Sequence, residues 1–389
     1  MQSGVESDKT EAPGRTSAFP GFRSHHRHGS MKRVFPFLLA TIFAVSFAQA
    51  GARADDNVAG AASAVSPGAG DNDARWMLTE ENDKFASPDD RHYTQGIRLS
   101  RFSAPLAAGS TWDEPFIWLS ANAPIFEDGN FKREYDWAII GQSMFTPQNT
   151  QAQIPPSTDR PYGAWLYTGV SLLQETRHAT HDTLENAELL AGIVGPAALG
   201  GPAQNDWHQF IGVNSAQGWT NQLHNEPGLA ATYERKWRFE KPLGDYFSTD
   251  AIPELGATGG NVFTYAEAGG QLRFGHDLEA DYGSSHIRPS LSGTGWFDPA
   301  RMTGPLGWYL FVGAQGRAVA RNIFLDGNTF VDSPSVHKRI LVADFVAGAS
   351  VFWRDDVRLD FTVVQRTPEF YGQQGTPDRF GSVGLVVGF

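Results

Sequence analysis

The stretch "WYLFVGAQGR", residues 308–317, alternates along its length. Trp308, Leu310 and Val312 fall on one side of an extended chain. Gln315 and Arg317 fall on the other side, together with aromatic and small residues. A period of two residues is the signature of a β-strand with two different faces. The stretch therefore predicts a strand with one apolar face and one face that carries polar groups.

The same period recurs from Arg75 to the final residues "SVGLVVGF", 382–389. Several runs exceed the five or six residues that are usual in soluble sheets, and about 9–11 tilted residues cross a bilayer. Lipid outside and a polar lumen inside explain the two faces, and closure leaves no unpaired edge in lipid. We predict an all-β protein, a transmembrane antiparallel β-barrel of about twelve strands. The predicted strands cover residues 75–83, 92–102, 136–146, 163–175, 184–194, 220–239, 258–274, 285–293, 307–325, 336–353, 357–368 and 379–389.

The chain before the barrel predicts export. The stretch "MKRVFPFLLATIFAVSFAQA" starts at Met31 with two basic residues, continues with an apolar run and ends in small residues, which is typical of a secretory signal peptide. We assign residues 31–54 to this signal and 55–74 to a flexible lead-in. Residues 1–30 are interpreted as an upstream extension that is either an artefact of the assigned start or dispensable. Residues 75–389 form the predicted barrel, which we place in the bacterial outer membrane with one rim facing outward.

Composition excludes several classes of function. The sequence has no cysteine, which removes disulfides, thiolate metal sites and thiol catalysis. Its formal charge is −12, whereas binding to nucleic acid needs clustered lysine and arginine. We therefore expect no nucleic-acid partner.

The numbering of the strands predicts that the polar clusters lie at one end of the barrel. With an even number of strands both termini lie on the periplasmic side, so odd-numbered connections face outward. The first, third and fifth predicted connections, at 84–91, 146–163 and 195–219, are the most polar. The second, at 103–135, is long for a periplasmic turn, which predicts local structure there. Alternation with Arg98 and Ser100 predicts that Thr94 faces the lumen.

The residue types on this rim suggest hydrolysis. Asn82 and Asp83 end the first strand, and oxygen donors of this kind suit a hard cation such as Ca²⁺. Gln204 and His208 lie four residues apart in the fifth connection, and histidine can take a proton from water near neutral pH. Together they suggest metal-assisted attack on an ester. Ordinary turn chemistry at the Asn-Asp pair and a merely structural histidine remain alternatives.

Four blocks in the same order carry a family resemblance. "ENDKF…DDRHYTQGIRLS", "GQSMFTPQN", "DRPYGAWLY" and "GPAALGGPAQNDWHQFIG…GWTNQL" resemble the outer-membrane lipid A 3′-O-deacylase family, over residues 76–389. The resemblance implies a twelve-stranded barrel. It also implies an ester hydrolase that removes the 3′-linked acyloxyacyl group of lipid A in a Ca²⁺-dependent reaction.

The resemblance implies roles for particular residues. His208 would be the base that activates water, with Gln204 and Thr94 in the same site. Asp83 would help to hold Ca²⁺, and Asn82 together with the cation would stabilise the oxyanion.

Three further assignments follow from the same resemblance. Arg160, with Asp159 beside it, resembles a basic residue that binds a phosphate of lipid A. The family also uses an acidic residue soon after the histidine, and residues 209–217 of this chain contain none. Glu226 is the substitute that we assign to the metal.

The resulting expectation is a monomeric lipid A deacylase whose partners are lipopolysaccharide and the lipids of the outer membrane. Two alternatives stay open from the sequence. One is an outer-membrane acyl hydrolase of the phospholipase type, and the other is a non-catalytic barrel or pore.

Overall fold

The computed structural model describes residues 74–87, 91–287, 289, 295–354, 357–375 and 377–388. The predicted extension and signal peptide, nearly all of the lead-in, and Phe389 lie outside the described residues. Twelve strands make up the barrel: β1 (Arg75–Asn82), β2 (His92–Phe102), β3 (Asn130–Thr146), β4 (Gly163–Arg177), β5 (Asp182–Val194), β6 (Glu226–Leu243), β7 (Phe247–Gly260), β8 (Phe263–His276), β9 (Leu306–Asn322), β10 (Leu341–Trp353), β11 (Val357–Arg366) and β12 (Asp378–Gly388).

The sheet closes on itself. Every strand pairs antiparallel with its neighbours along the chain, and β1 pairs with β12 from Arg75 opposite Gly388 to Asn82 opposite Gly381. The quoted stretch in β9 shows the two faces, because Leu310 and Val312 are each 56% exposed whereas Arg317 is 2% exposed. The predicted fold class, a closed twelve-stranded antiparallel barrel, is confirmed.

One predicted strand is wrong, and one strand of the barrel was not predicted. Residues 247–260 form β7, which we did not predict as a separate strand, and 285–293 is not a strand in its described part. Pro253 and the glycines at 256, 259 and 260 interrupt the alternation in β7, and both residue types are uncommon in the interior of a strand. The predicted count of twelve was correct because the missed strand and the wrongly predicted one cancel.

The described part of the chain between β8 and β9, residues 277–287, 289 and 295–305, is here called the lumen segment because it contacts the inner wall of the barrel. Asp281 lies 3.1 Å from Arg358 and accepts a hydrogen bond from the Tyr309 hydroxyl at 2.8 Å. Farther along, the backbone N–H of Ile287 donates to Glu81 at 3.0 Å, next to the outer end of β1. The lumen segment therefore enters at the rim that holds the start of β1 and the end of β12, and it reaches the opposite rim.

The second connection contains the predicted local structure. A 3₁₀ turn at residues 111–113 leads into helix α1 (Glu114–Asn122). Phe116 of α1 is fully buried, with Phe126 and Tyr135 around it. Two further helices, α2 (Gly200–Ile211) and α3 (Ile323–Asp326), lie in connections on the opposite rim. Among the helices of the described residues, none has the length and apolar character needed to cross a membrane.

Candidate active site at the outer rim

The structure places the residues singled out from the sequence at one rim. Asn82 is the last residue of β1, Thr94 lies at the start of β2, and Asp159 precedes β4. His208 lies in the connection between β5 and β6. Strands β1, β3 and β5 run in the same direction in the closed antiparallel sheet, so their ends meet at the rim opposite the start of β1. We call this end the outer rim.

The Asn82–Asp83 pair shapes the first connection. Asn82 caps a 3₁₀ turn at residues 83–85 by accepting a hydrogen bond from the Lys84 backbone N–H at 2.9 Å. Asp83 is 3% exposed, and its Oδ2 accepts from the Arg91 backbone N–H at 2.8 Å. The turn chemistry expected of these residue types is present, and it fixes both oxygen-bearing side chains beside the rim.

Thr94 sits in an irregularity of the ladder. Tyr93 pairs with Phe145 and Gln95 pairs with Met144, which leaves Thr94 as the extra residue of a β-bulge. Its hydroxyl lies 2.7 Å from that of Thr146. A bulge resets the alternation of a strand, and Tyr93 takes the lumen position, where it donates to Glu81 at 2.7 Å. The regular alternation on which the prediction for Thr94 rests is therefore interrupted at this position.

Helix α2 lies on the outside of the barrel wall. Phe145 and Trp165 belong to the lumen cluster, so their neighbours Met144 and Ala164 point to the opposite, membrane-facing side. These two side chains pack with Ala198, Tyr162 and Trp219 from the connections above them. Gly200, the first residue of α2, lies so close that a Cβ added there would be 2.5 Å from the Ala164 Cβ. The fifth connection is thus folded against the face of the wall that meets lipid.

His208 and Gln204 occupy the buried side of α2. They are one helical turn apart and are 5% and 1% exposed. The Oε1 of Gln204 accepts from the Trp219 indole N–H at 2.7 Å. The Nδ1 of His208 lies 2.9 Å from the Asn214 carbonyl oxygen. A carbonyl can only accept, so Nδ1 carries the proton and Nε2 is the basic nitrogen of the neutral ring.

Arg160 is held in a buried ion pair. The side chain is fully buried, donates from Nη1 to Glu369 at 3.0 Å, and lies over the Phe145 ring at 4.8 Å. Burial alone would raise the pKa of Glu369, but the guanidinium groups of Arg160, Arg366 and Arg317 lower it below its usual value. Because Arg160 is fully buried, a role in binding lipid phosphate requires that the surrounding connections open. Its Nε and Nη2, which have no hydrogen-bond partner among the described residues, could then donate to the phosphate.

Asp159 closes the third connection and approaches a residue that the sequence reading did not single out. Its two oxygens accept from the backbone N–H groups of Arg160 and Gln148, each at 2.8 Å. One oxygen also lies 3.8 Å from Nε2 of His92. His92 is fully buried, and its Nδ1 lies 2.7 Å from Asp378. His92, at the start of β2, thus lies between the third connection and the start of β12. The polar run "DDRHY", residues 89–93, is the sequence feature that could have identified it as a candidate.

The donor set fits calcium in part. Asp83 offers a buried carboxylate beside the Asn82 amide, which are oxygen donors of the hard type. Glu226 fits poorly, because its carboxylate accepts hydrogen bonds from Asn261 at 2.9 Å, Asn328 at 3.0 Å and Thr329 at 2.7 Å. Within the described residues, no group of three or more His, Asp or Glu side chains is placed to hold a metal. Glu226 instead joins three outer connections.

Comparison with known proteins supports the resemblance seen in the sequence. The family model described as "Outer membrane protein LpxR" matches residues 37–389. The solved structure of LpxR from Salmonella typhimurium is 19% identical, with a TM-score of 0.60 over 81% of this chain and 100% of that chain. The beta domain of the Bordetella autotransporter Brka is 9% identical, with a TM-score of 0.42 over 82% and 100% of the two chains. A comparison with curated proteins finds no match.

At this level of identity the Salmonella structure supports the fold, and the family model supplies the relationship over most of the chain. The expected family and the outer-membrane location are both confirmed. The chain belongs to the LpxR family of outer membrane proteins.

Proposed function

We propose that the protein is an outer-membrane hydrolase that removes the 3′-acyloxyacyl group from lipid A. The observation that carries the proposal is the position of His208. It lies at the outer rim on a helix that packs on the membrane-facing side of the wall, and its Nδ1 is engaged by the Asn214 carbonyl. A base held outside the lumen is placed for a lipid of the outer leaflet and not for a solute inside the barrel.

The proposed reaction uses His208 as a base, because the proton on its Nδ1 leaves Nε2 able to accept one. Nε2 of His208 takes a proton from water, and the resulting hydroxide attacks the ester carbonyl carbon. The tetrahedral intermediate collapses with cleavage of the bond to the sugar oxygen, which leaves with the proton from Nε2. The products are the acyloxyacyl carboxylic acid, with its own secondary ester intact, and the 3′-hydroxyl of the sugar. Asn82 and Thr94 are the groups we assign to orienting the ester and its oxyanion.

Calcium is part of the proposal. When bound, Ca²⁺ would supply positive charge near the ester carbonyl oxygen, and Asp83 with Asn82 would hold it. With Asp83 as its one supported carboxylate ligand, this site is expected to bind Ca²⁺ weakly, because calcium affinity rises with the number of charged ligands. Glu226 stays a predicted ligand without support from its contacts, because its oxygens already serve three donors.

The alternatives are weakened to different degrees. A pore is disfavoured because the lumen segment binds the inner wall at both ends of the barrel. An acyl hydrolase acting on phospholipid uses the same chemistry, and the choice of lipid A rests on the family relationship.

The test is mass spectrometry of lipid A and phospholipid from cells that express the protein. The wild type should release the 3′-acyloxyacyl group, and His208→Ala should release none while the folded barrel still migrates in its heat-modifiable form. Gln209→Ala is the matched control on the exposed side of the same helix, and it should retain activity. Full activity of His208→Ala, or unchanged lipid A with altered phospholipid, would reject the proposal.

A further inference from the structure

Helix α2 exposes two faces of opposite character. Trp207, Phe210 and Ile211 follow the i, i+3, i+4 spacing that places side chains on one face, and they are 42%, 69% and 45% exposed. Trp207 and Phe210 stack with their ring centroids 5.7 Å apart. Asp206 and Gln209 are exposed on the other side of the helix. The helix is therefore amphipathic although its buried side is already occupied by His208 and the wall.

The apolar face continues the lipid-facing surface of the barrel. Gln142 on the membrane-facing side of β3 donates to the Ala198 carbonyl, just before α2, at 2.6 Å. Ile140 lies two residues nearer the membrane centre and is 51% exposed. Two strand residues span about 6.6 Å. On β5, Leu189 is 47% exposed on the same side of the barrel. The helix thus sits at the upper edge of a wall whose lower part meets hydrocarbon.

A helix with this arrangement fits the boundary between head groups and acyl chains. Such helices lie in the plane of the interface with the apolar face down and the polar face toward water. Tryptophan is enriched at this depth because its ring is amphipathic. Leu199 before the helix and Val213 after it, 54% and 44% exposed, extend the apolar surface at both ends.

We propose that the face formed by Trp207, Phe210 and Ile211 inserts among the acyl chains of the outer leaflet and sets the depth of α2 in the membrane. The inference rests on the outer-membrane location and on the packing of α2, and it stands independently of the proposed deacylation. Its consequence is that His208, next to Trp207 along the chain, is held at the level where acyl chains join their head groups.

The test uses the absence of native cysteine, which makes an introduced cysteine a unique labelling site. Phe210→Cys and Gln209→Cys would each carry a nitroxide in vesicles of phospholipid and lipopolysaccharide. Collision with oxygen reports immersion in hydrocarbon, and collision with a water-soluble nickel chelate reports exposure to water. The label at 210 should collide at least fivefold more with oxygen than with nickel, relative to the label at 209. Equal, water-like readings at both positions would overturn the proposal.

Two further outcomes are decisive. A label at 210 that is shielded from both reagents and shows broadening between labels would mean that a second copy of the chain covers the face, which rejects insertion. If Phe210→Cys fails to fold, Ile211→Cys tests the same face, and its label must also read as immersed. Activity is measured separately in the unlabelled wild type, so an inactive protein with an immersed label would reject the deacylase and keep the insertion.

Discussion

The buried carboxylate of Glu81 accepts a hydrogen bond from the backbone N–H of Ile287 at 3.0 Å, across 206 positions of sequence. It also accepts from the Tyr93 hydroxyl at 2.7 Å. The Glu81 side chain in β1 therefore joins Ile287 of the lumen segment to Tyr93 of β2. The candidate catalytic residues Asn82 and Thr94 directly follow Glu81 and Tyr93.

Removing this carboxylate should loosen the outer rim. In Glu81→Ala, the Ile287 N–H and the Tyr93 hydroxyl lose a buried acceptor, which is costly when no water replaces it. We expect amide hydrogen exchange of residues 82–94 to increase by about tenfold or more, which corresponds to ~1.4 kcal/mol of local opening. The matched control is Glu134→Ala, because Glu134 is equally buried but pairs with Arg75 at the other end of the barrel. Equal exchange at the outer rim in both variants would contradict a local role of Glu81.

The close contact between α2 and the barrel wall predicts that a methyl group added at Gly200 will displace the helix. In Gly200→Ala the new Cβ would lie 2.5 Å from the Ala164 Cβ and 2.7 Å from the Trp219 ring. The helix must shift, and we expect ester hydrolysis to fall at least tenfold because small misplacements of catalytic groups are costly. Gly259→Ala is the control, since a Cβ at that position meets nothing within 4 Å. Lipid A turnover by the folded barrels, measured with both variants, checks this prediction.

The sequence predicts those features that depend on a local pattern of residues. It does not predict features that depend on contacts between residues far apart in the chain. The alternation in residues 308–317 suffices for β9, because each face has a uniform environment. At Thr94 the alternation alone is not sufficient, because a bulge opposite Phe145 adds one residue to the strand. The burial of Arg160 depends on Glu369, 209 positions away. The sequence contains both residues, but no local pattern pairs them.

We expect low pH to weaken the ion pairs that hold Asp281 of the lumen segment against the barrel wall. Burial alone would raise the pKa of Asp281, but the guanidinium groups of Arg358 and Arg273 lower it below its usual value. A lowered pKa contributes stability above the usual aspartate value of about 3.9, and this contribution is lost as the pH falls through the folded pKa. We expect the contribution of Asp281 to the unfolding temperature to be constant between about pH 7 and pH 5 and to be lost below about pH 4.

The variant Asp281→Asn isolates this contribution. It leaves two buried guanidinium groups with one fewer negative partner, so we expect a loss of about 3–5 kcal/mol at neutral pH. The difference from the wild type should shrink as the pH is lowered, because protonation then removes the same charge in the wild type. Thermal unfolding followed by circular dichroism at a series of pH values measures both curves. A difference that stays constant down to about pH 2 would contradict the assignment of the acid response to Asp281.

The two predicted calcium ligands should respond differently to substitution. Asp83 is buried beside the rim, and its carboxylate lies next to Asn82. The carboxylate oxygens of Glu226 instead accept hydrogen bonds from Asn261, Asn328 and Thr329. We therefore expect Asp83→Asn to raise the calcium concentration for half-maximal lipid A hydrolysis by tenfold or more. Glu226→Gln keeps the shape of the side chain and should leave that concentration within about twofold. The measurement is hydrolysis by purified protein titrated with Ca²⁺ after chelation, and the two variants are matched because each replaces a carboxylate by its amide. A large shift in Glu226→Gln with none in Asp83→Asn would reverse the assignment, and it would mean that the hydrogen bonds of Glu226 are exchanged for metal coordination when lipid binds.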